Sequence, residues 1–117
     1  FEGDGGLMMH LQELETLKRH GLKMLIVCCN DGGYGAETHR LRAEGIDPSS
    51  GEFGRPDFAA IAKSMGLRGR TITHLDGIGD WLAEYERGSE AEIWDVHISA
   101  QVMSPRMQME VAELLAG

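Results

Sequence analysis

Apolar positions fall along this chain in two periods that alternate. After Asp4, the residues Leu7, Leu11, Leu14 and Leu17 recur at i, i+4, i+7 spacing with Met8 widening the stripe, which predicts a helix with one buried face. Gln12, Glu13, Glu15, Lys18 and Arg19 lie mostly off that face, and Gly21 after His20 supplies a C-terminal stop. Met24 to Cys29 is then a continuous apolar run of strand length, the pattern of a strand covered on both faces in a parallel α/β sheet. Residues 36–44 read as a short polar helix or ordered loop, and the Gly, Ser, Pro and Asp-rich stretch 45–54 as a loop, mobile unless a partner covers it. Pro56-Asp57 opens a helix with Phe58, Ile61, Ala62 and Met65 on one face, stopped by Gly66. Arg70 to Thr73 is a short strand, and Asp76 to Arg87 a helix with Ile78, Trp81, Leu82 and Tyr85 inward. Glu92 to Ser99 alternates, which fits an edge or half-buried strand. Ser104 and Pro105 start a last helix, with Met107, Val111, Leu114 and Leu115 as its apolar face. The alternation predicts an α/β class: three layers, a mostly parallel sheet with helices on both faces.

Composition narrows the function classes. The 117 residues allow one domain with a modest core. A formal net charge of −8, with no basic cluster, argues against a nucleic-acid partner. No apolar run approaches the ~20 residues that span a membrane, and the acidic, Gly-rich start is unlike a signal peptide. The chain has no initiating Met, which suits a fragment or a processed product. Cys28 and Cys29 are adjacent, so on a strand they point to opposite faces; reduced thiols in a cytoplasmic protein are expected.

The chemistry concentrates between Gly3 and Gly35. Gly3-Asp4-Gly5-Gly6 precedes the first helix, and Asn30-Asp31-Gly32-Gly33-Tyr34-Gly35 follows the apolar strand. Both loops are rich in Gly and carboxylate, and both fall at the carboxyl ends of strands if Phe1-Glu2 ends one. A Gly-rich turn at a helix N-terminus offers backbone N–H groups to an anion. Asp4 and Asp31, one in each loop, can hold a hard cation that bridges phosphate oxygens. The residues themselves therefore predict a Mg²⁺–diphosphate site. Asp4 as a simple helix cap is the competing reading, and the second loop favours the metal.

Gly3-Asp4-Gly5, then residues 6–29, then Asn30-Asp31 resembles the bipartite motif of thiamine diphosphate enzymes. The Gly32-Gly33-Tyr34-Gly35-Ala36 run, Leu7-Met8-Met9, Glu13-Leu14-Glu15-Thr16 and Pro56-Asp57-Phe58 are similar to the acetolactate synthase and benzoylformate decarboxylase group. The resemblance implies that residues 1–117 are part of the C-terminal diphosphate-binding domain, truncated at its N-terminal side. It implies a 2-oxo acid decarboxylase or carboligase that binds thiamine diphosphate and Mg²⁺. Gly3, Asp4, Gly5, Gly6, Asp31, Gly33, Tyr34, Gly35 and Ala36 would lie at the cofactor. Asp4, Asp31 and the Gly33 carbonyl would ligate the metal. Asp31 stands where the family usually has a second Asn; its carboxylate also supplies an oxygen, with an added negative charge. Asn30 is expected to order the loop, and Tyr34 either flanks the cofactor or packs on the core.

No catalytic residue is assigned within the chain, since the family's activating Glu belongs to a pyrimidine-binding domain of the same or a neighbouring subunit. The resemblance implies a homodimer or homotetramer, and an isolated chain without activity. Glu37 reads as a solvated helix residue rather than an acid–base group, and His10, His20, His74 and His97 show no ligand spacing. Two further readings remain: a small subunit of a split decarboxylase, and a non-catalytic module that keeps the fold and the metal site.

Overall fold

A computed structural model describes residues 1–117. The elements are β1 (Glu2–Gly3), α1 (Asp4–Met9), α2 (Glu13–Arg19), β2 (Leu25–Asn30), α3 (Gly35–Ala43), a 3-10 turn (Ser49–Gly51), α4 (Phe58–Ser64), β3 (Arg68–Ile72), α5 (Ile78–Arg87), β4 (Glu92–His97) and α6 (Pro105–Ala116). The four strands form one all-parallel sheet in the order β1-β2-β4-β3. The expected α/β architecture is therefore present.

Strand order dictates where the helices go. The chain steps one way from β1 to β2 and on to β3, then reverses to reach β4. Right-handed crossovers place α1, α2 and α4 on one face and send α5 to the other. On the first face Leu7, Leu14, Leu17, Cys28, Phe58, Ala62, Leu67, Ala91 and Ile93 form the core. Gly69 of β3 faces α4, where a Cβ would overlap the backbone of Ala59. Its neighbours Arg68 and Arg70 alternate to the opposite face and pair there with Glu84 of α5.

Several local expectations are corrected. The helix after Asp4 is two helices: the amides of Glu13, Leu14 and Glu15 bond three residues back, a tight turn through His10–Gln12 that still delivers Leu7 and Leu14 to one cluster. Met8 is exposed and does not widen the buried stripe. β2 and β3 are displaced by one or two residues from their predicted bounds. β4 is not an edge strand: it lies between β2 and β3, and Glu92 to Asp95 are all buried. Its polar residues are inside because they have partners. Glu92 meets Arg68 and Arg70 at 3.4 Å and accepts the Trp94 indole N–H at 2.9 Å.

α5 buries no residue fully: of the predicted inward face, Trp81 and Tyr85 are half-buried, while Ile78 and Leu82 are exposed. Ion pairs to Glu84 and the Arg70 guanidinium 5.4 Å above the Trp81 ring add to that partial burial. In α6 only Val111 is buried, and Leu115 is 65% exposed. The start of that helix is as predicted, with Pro105 first and Ser104 accepting the Met107 N–H at 3.2 Å.

α3 and α6 pack on one another, and the chain is elongated, 50 × 29 × 20 Å. Its radius of gyration is 16.3 Å, against ~13 Å for a compact chain of this length.

Gly69→Ala should lower stability by about 1–3 kcal/mol, because the methyl group overpacks the α4 contact. Chemical denaturation measures this, and an unchanged midpoint would contradict the packing described.

Candidate cofactor site

β1 pairs with β2 so that Gly3 lies opposite Cys29. Both strands then end at the same sheet edge, and the residues that follow, Asp4 and Asp31, emerge side by side. This is the edge at which parallel sheets receive ligands. Asp4 is the first residue of α1 and only 2% exposed. Its Oδ2 accepts the Gly32 and Gly33 N–H groups at 2.8 and 3.2 Å, and its Oδ1 accepts the Gly5 N–H at 2.9 Å. One carboxylate thus joins the two Gly-rich loops.

The second loop is fastened on its other side as well. Phe53 and Gly54 donate their N–H groups to Gly32 O, each at 3.1 Å, and Tyr34 N–H donates to Gly51 O at 2.8 Å. Residues 49–54 therefore lie against the site, within the stretch that the sequence predicts as a loop, mobile unless a partner covers it. Arg42 pairs with Glu52 at 2.6 Å and holds this clasp to α3. Gly32 has φ +89°, a conformation that favours glycine. Gly5 is required for a different reason, since a Cβ there would come within 2.7 Å of the Tyr34 ring. Tyr34 in turn packs edge-on against Phe53, with centroids 5.3 Å apart.

A cleft of about 300 Å³ opens between the loops. Gly3, Asp4, Gly5 and Gly6 line one side; Asp31, Gly33, Tyr34, Gly35 and Ala36 line the other. All nine predicted positions are brought together, joined by Cys29, Glu37 and Ile98. Glu37 is exposed at the rim, as expected of a solvated helix residue. A larger groove of about 670 Å³ adjoins the cleft between α3 and α6, sharing Asp31, Gly35, Ala36 and Ile98 and continuing over Val102, Met103 and Met107.

The donor set fits a hard divalent cation. Desolvation, and then the charge of Asp4, raise the pKa of Asp31 above the ordinary carboxylate range. No Lys or Arg lines the cleft to offset the two acids, and no third His, Cys, Asp or Glu side chain completes a cluster with them. The Gly33 carbonyl accepts no hydrogen bond within the chain, so a third oxygen is free for a metal. The Gly6 N–H lies in the first turn of α1, where helices lack internal acceptors. Cys28, beneath the site, is buried; burial first, then the charges of Asp95 and Asp4, push its thiol up to about 12, so it is not a metal-ready thiolate.

Asn30 orders the loop, as expected. It is fully buried and donates Nδ2–H to Pro56 O at 3.1 Å and to Asp95 Oδ1 at 2.9 Å. Asp95 was not legible as part of the site: the alternating pattern of β4 set it on one face without indicating burial or a partner.

The parallel α/β sheet thus brings two carboxylate-bearing Gly loops together at one carboxyl edge. The sequence model described as thiamine pyrophosphate enzyme, C-terminal TPP binding domain, matches residues 1–91. The chain belongs to this thiamine pyrophosphate-dependent family. It is 31% identical over 99 residues to an acetolactate synthase large subunit of Parasynechococcus marenigrum, covering 82% of this chain and 16% of that protein. It is 29% identical over 80 residues to a sulfoacetaldehyde acetyltransferase of Alcaligenes xylosoxydans, covering 68% and 13%. Its fold matches that of a thiamine diphosphate-dependent 4-hydroxybenzoylformate decarboxylase from Rhodococcus jostii, with a TM-score of 0.72, 16% identity, and 83% of this chain and 18% of that one covered. The chain spans less than a fifth of each of these proteins.

With divalent cations chelated, the raised Asp31 pKa sets a sign for pH dependence. The folded state holds a proton that the unfolded state has already released, so stability falls as pH rises from the ordinary carboxylate pKa through the raised one. Asp31→Asn should flatten that segment of the stability–pH curve. Identical curves for the two proteins would contradict the facing of Asp31 and Asp4.

Proposed function

We propose that this chain anchors the Mg²⁺–diphosphate end of thiamine diphosphate in a 2-oxo acid decarboxylase or carboligase of the acetolactate synthase type. The observation that carries the reading is the Asp4 carboxylate, which locks two Gly-rich loops into one cleft and faces Asp31. Asp4 and Asp31 carboxylates and the Gly33 carbonyl would hold the cation, an oxygen set suited to Mg²⁺. Gly5, Gly6, Tyr34, Gly35 and Ala36 would form the walls around the diphosphate, and the adjoining groove leaves room for the organic part of the cofactor. The bound cofactor supplies carbanion stabilisation, while the protein binds and orients it.

Other parts of the enzyme are needed to complete the site. The cleft is open, only 21 of 117 residues are buried, and the related proteins are several times longer. These features support a pyrimidine-binding domain, of the same or a neighbouring subunit in a homodimer or homotetramer, as the partner that closes it over a 2-oxo acid. Both cysteines are free, which supports a reducing, cytoplasmic location. No helix is long and apolar enough to cross a membrane.

Calorimetric titration of thiamine diphosphate into the full-length protein, with and without Mg²⁺, tests the reading. Binding should require Mg²⁺ and weaken at least ~100-fold in Asp4→Ala and in Asp31→Ala, in line with the loss of charged metal ligands. Cation-independent binding, or none, would overturn it.

A further inference from the structure

We infer that Asp95, which does not line the cleft, is the positioning residue that sets the geometry of the Asp31 loop. The inference rests on the cofactor reading above for its functional meaning. Asp95 lies in the middle of β4, opposite Cys28, and is fully buried. Its Oδ1 accepts Asn30 Nδ2–H at 2.9 Å, its Oδ2 accepts the Phe58 N–H at 3.1 Å, and His97 Nε2 lies 3.6 Å from Oδ2.

The Asn30 amide shows how strongly Asp95 determines this arrangement. Its nitrogen gives one hydrogen to Asp95 and the other to Pro56 O. Its oxygen is buried with no partner. Turning the amide over would press that oxygen against two acceptors, so the side chain keeps the orientation that leaves Oδ1 unsatisfied. Asn30 is the root of the loop. The next residue is Asp31, and the two after it meet Asp4 through their N–H groups.

The second arm of Asp95 acts on the far side of the same loop. Its bond to Phe58 N–H holds the start of α4, and the chain just before it supplies the Phe53 and Gly54 N–H groups that close on Gly32 O. One carboxyl group therefore fixes both the root of the Asp31 loop and the segment that clasps it. Asp95 does not touch the cleft itself and acts on it through Asn30 and residues 53–58.

Asp95→Asn in the full-length protein tests this, because the new amide cannot accept from both Asn30 and Phe58 through two oxygens. Glu92→Gln is the control: it perturbs a buried carboxylate of the same strand at the end remote from the site. Hydrogen exchange at the Gly32 and Gly33 amides should quicken at least tenfold in Asp95→Asn while the Ile93 amide stays protected. The dissociation constant for thiamine diphosphate at saturating Mg²⁺ should rise at least tenfold. Glu92→Gln should lower the melting temperature and change neither. Asn30→Ala, which keeps the Asp95–Phe58 bond, should reproduce the exchange effect and serves if Asp95→Asn does not fold.

Unchanged exchange at Gly32 and Gly33 in whichever of these two variants folds, or equal effects from Glu92→Gln, would overturn the assignment. The exchange measurement needs no ligand. Failure of wild-type protein to bind the cofactor would count against the functional reading alone, with the role of Asp95 still decided.

Discussion

Two backbone N–H groups, those of Gly32 and Gly33, end on a single carboxylate oxygen of Asp4, and the relation between the two Gly-rich loops depends on that contact. The loops are 27 positions apart in sequence and meet only because β1 and β2 are parallel neighbours whose carboxyl ends are in register. A carboxylate buried to this degree needs donors for its oxygens, and the backbone of the second loop provides them. The same contact leaves Asp31 facing a second negative charge in a partly dry cleft. That is the electrostatic condition a divalent cation relieves.

The remainder of the fold supports this edge from below. Leucines of α1 and α2 and Phe58 of α4 pack on one sheet face, which holds β1, β2 and β4 beside each other under the site. The opposite face is treated differently. Arg68 and Arg70 reach from β3 to Glu84 and to buried Glu92, a charged belt at the end of the sheet away from the cleft. α5 is held by that belt as well as by the half-buried Trp81 and Tyr85, and α3 with α6 extends the molecule lengthwise. Such a shape presents the edge that carries the cleft, and apolar helix faces, outward.

Much of this was legible in the sequence, for identifiable reasons. The continuous apolar run before Asn30 signals a two-sided strand, and the paired Gly-Asp loops flank it at strand ends; together they locate the cleft. Ser104-Pro105 and Asp57 mark helix starts through side-chain acceptors, and both cap as expected. What failed was inference from polarity. The alternation of polar residues made β4 read as an edge or half-buried strand, yet Glu92 and Asp95 are buried with donors drawn mostly from other elements, information that periodicity does not carry. The apolar stripe of α5 likewise does not reveal that Ile78 and Leu82 are exposed or that Glu84 pairs with two arginines of β3. The 49–54 segment reads as a loop because its backbone bonds to Gly32 and Tyr34, and the Arg42–Glu52 and Tyr34–Phe53 side-chain contacts, join residues that no local periodicity links.

The most direct test of the central claim is a crystal structure of the full-length protein with Mg²⁺ and thiamine diphosphate. The account predicts a cation held by oxygens of Asp4, Asp31 and Gly33, with the cofactor diphosphate bound beside it. A cofactor bound elsewhere, or a cation that engages neither Asp4 nor Asp31, would contradict it.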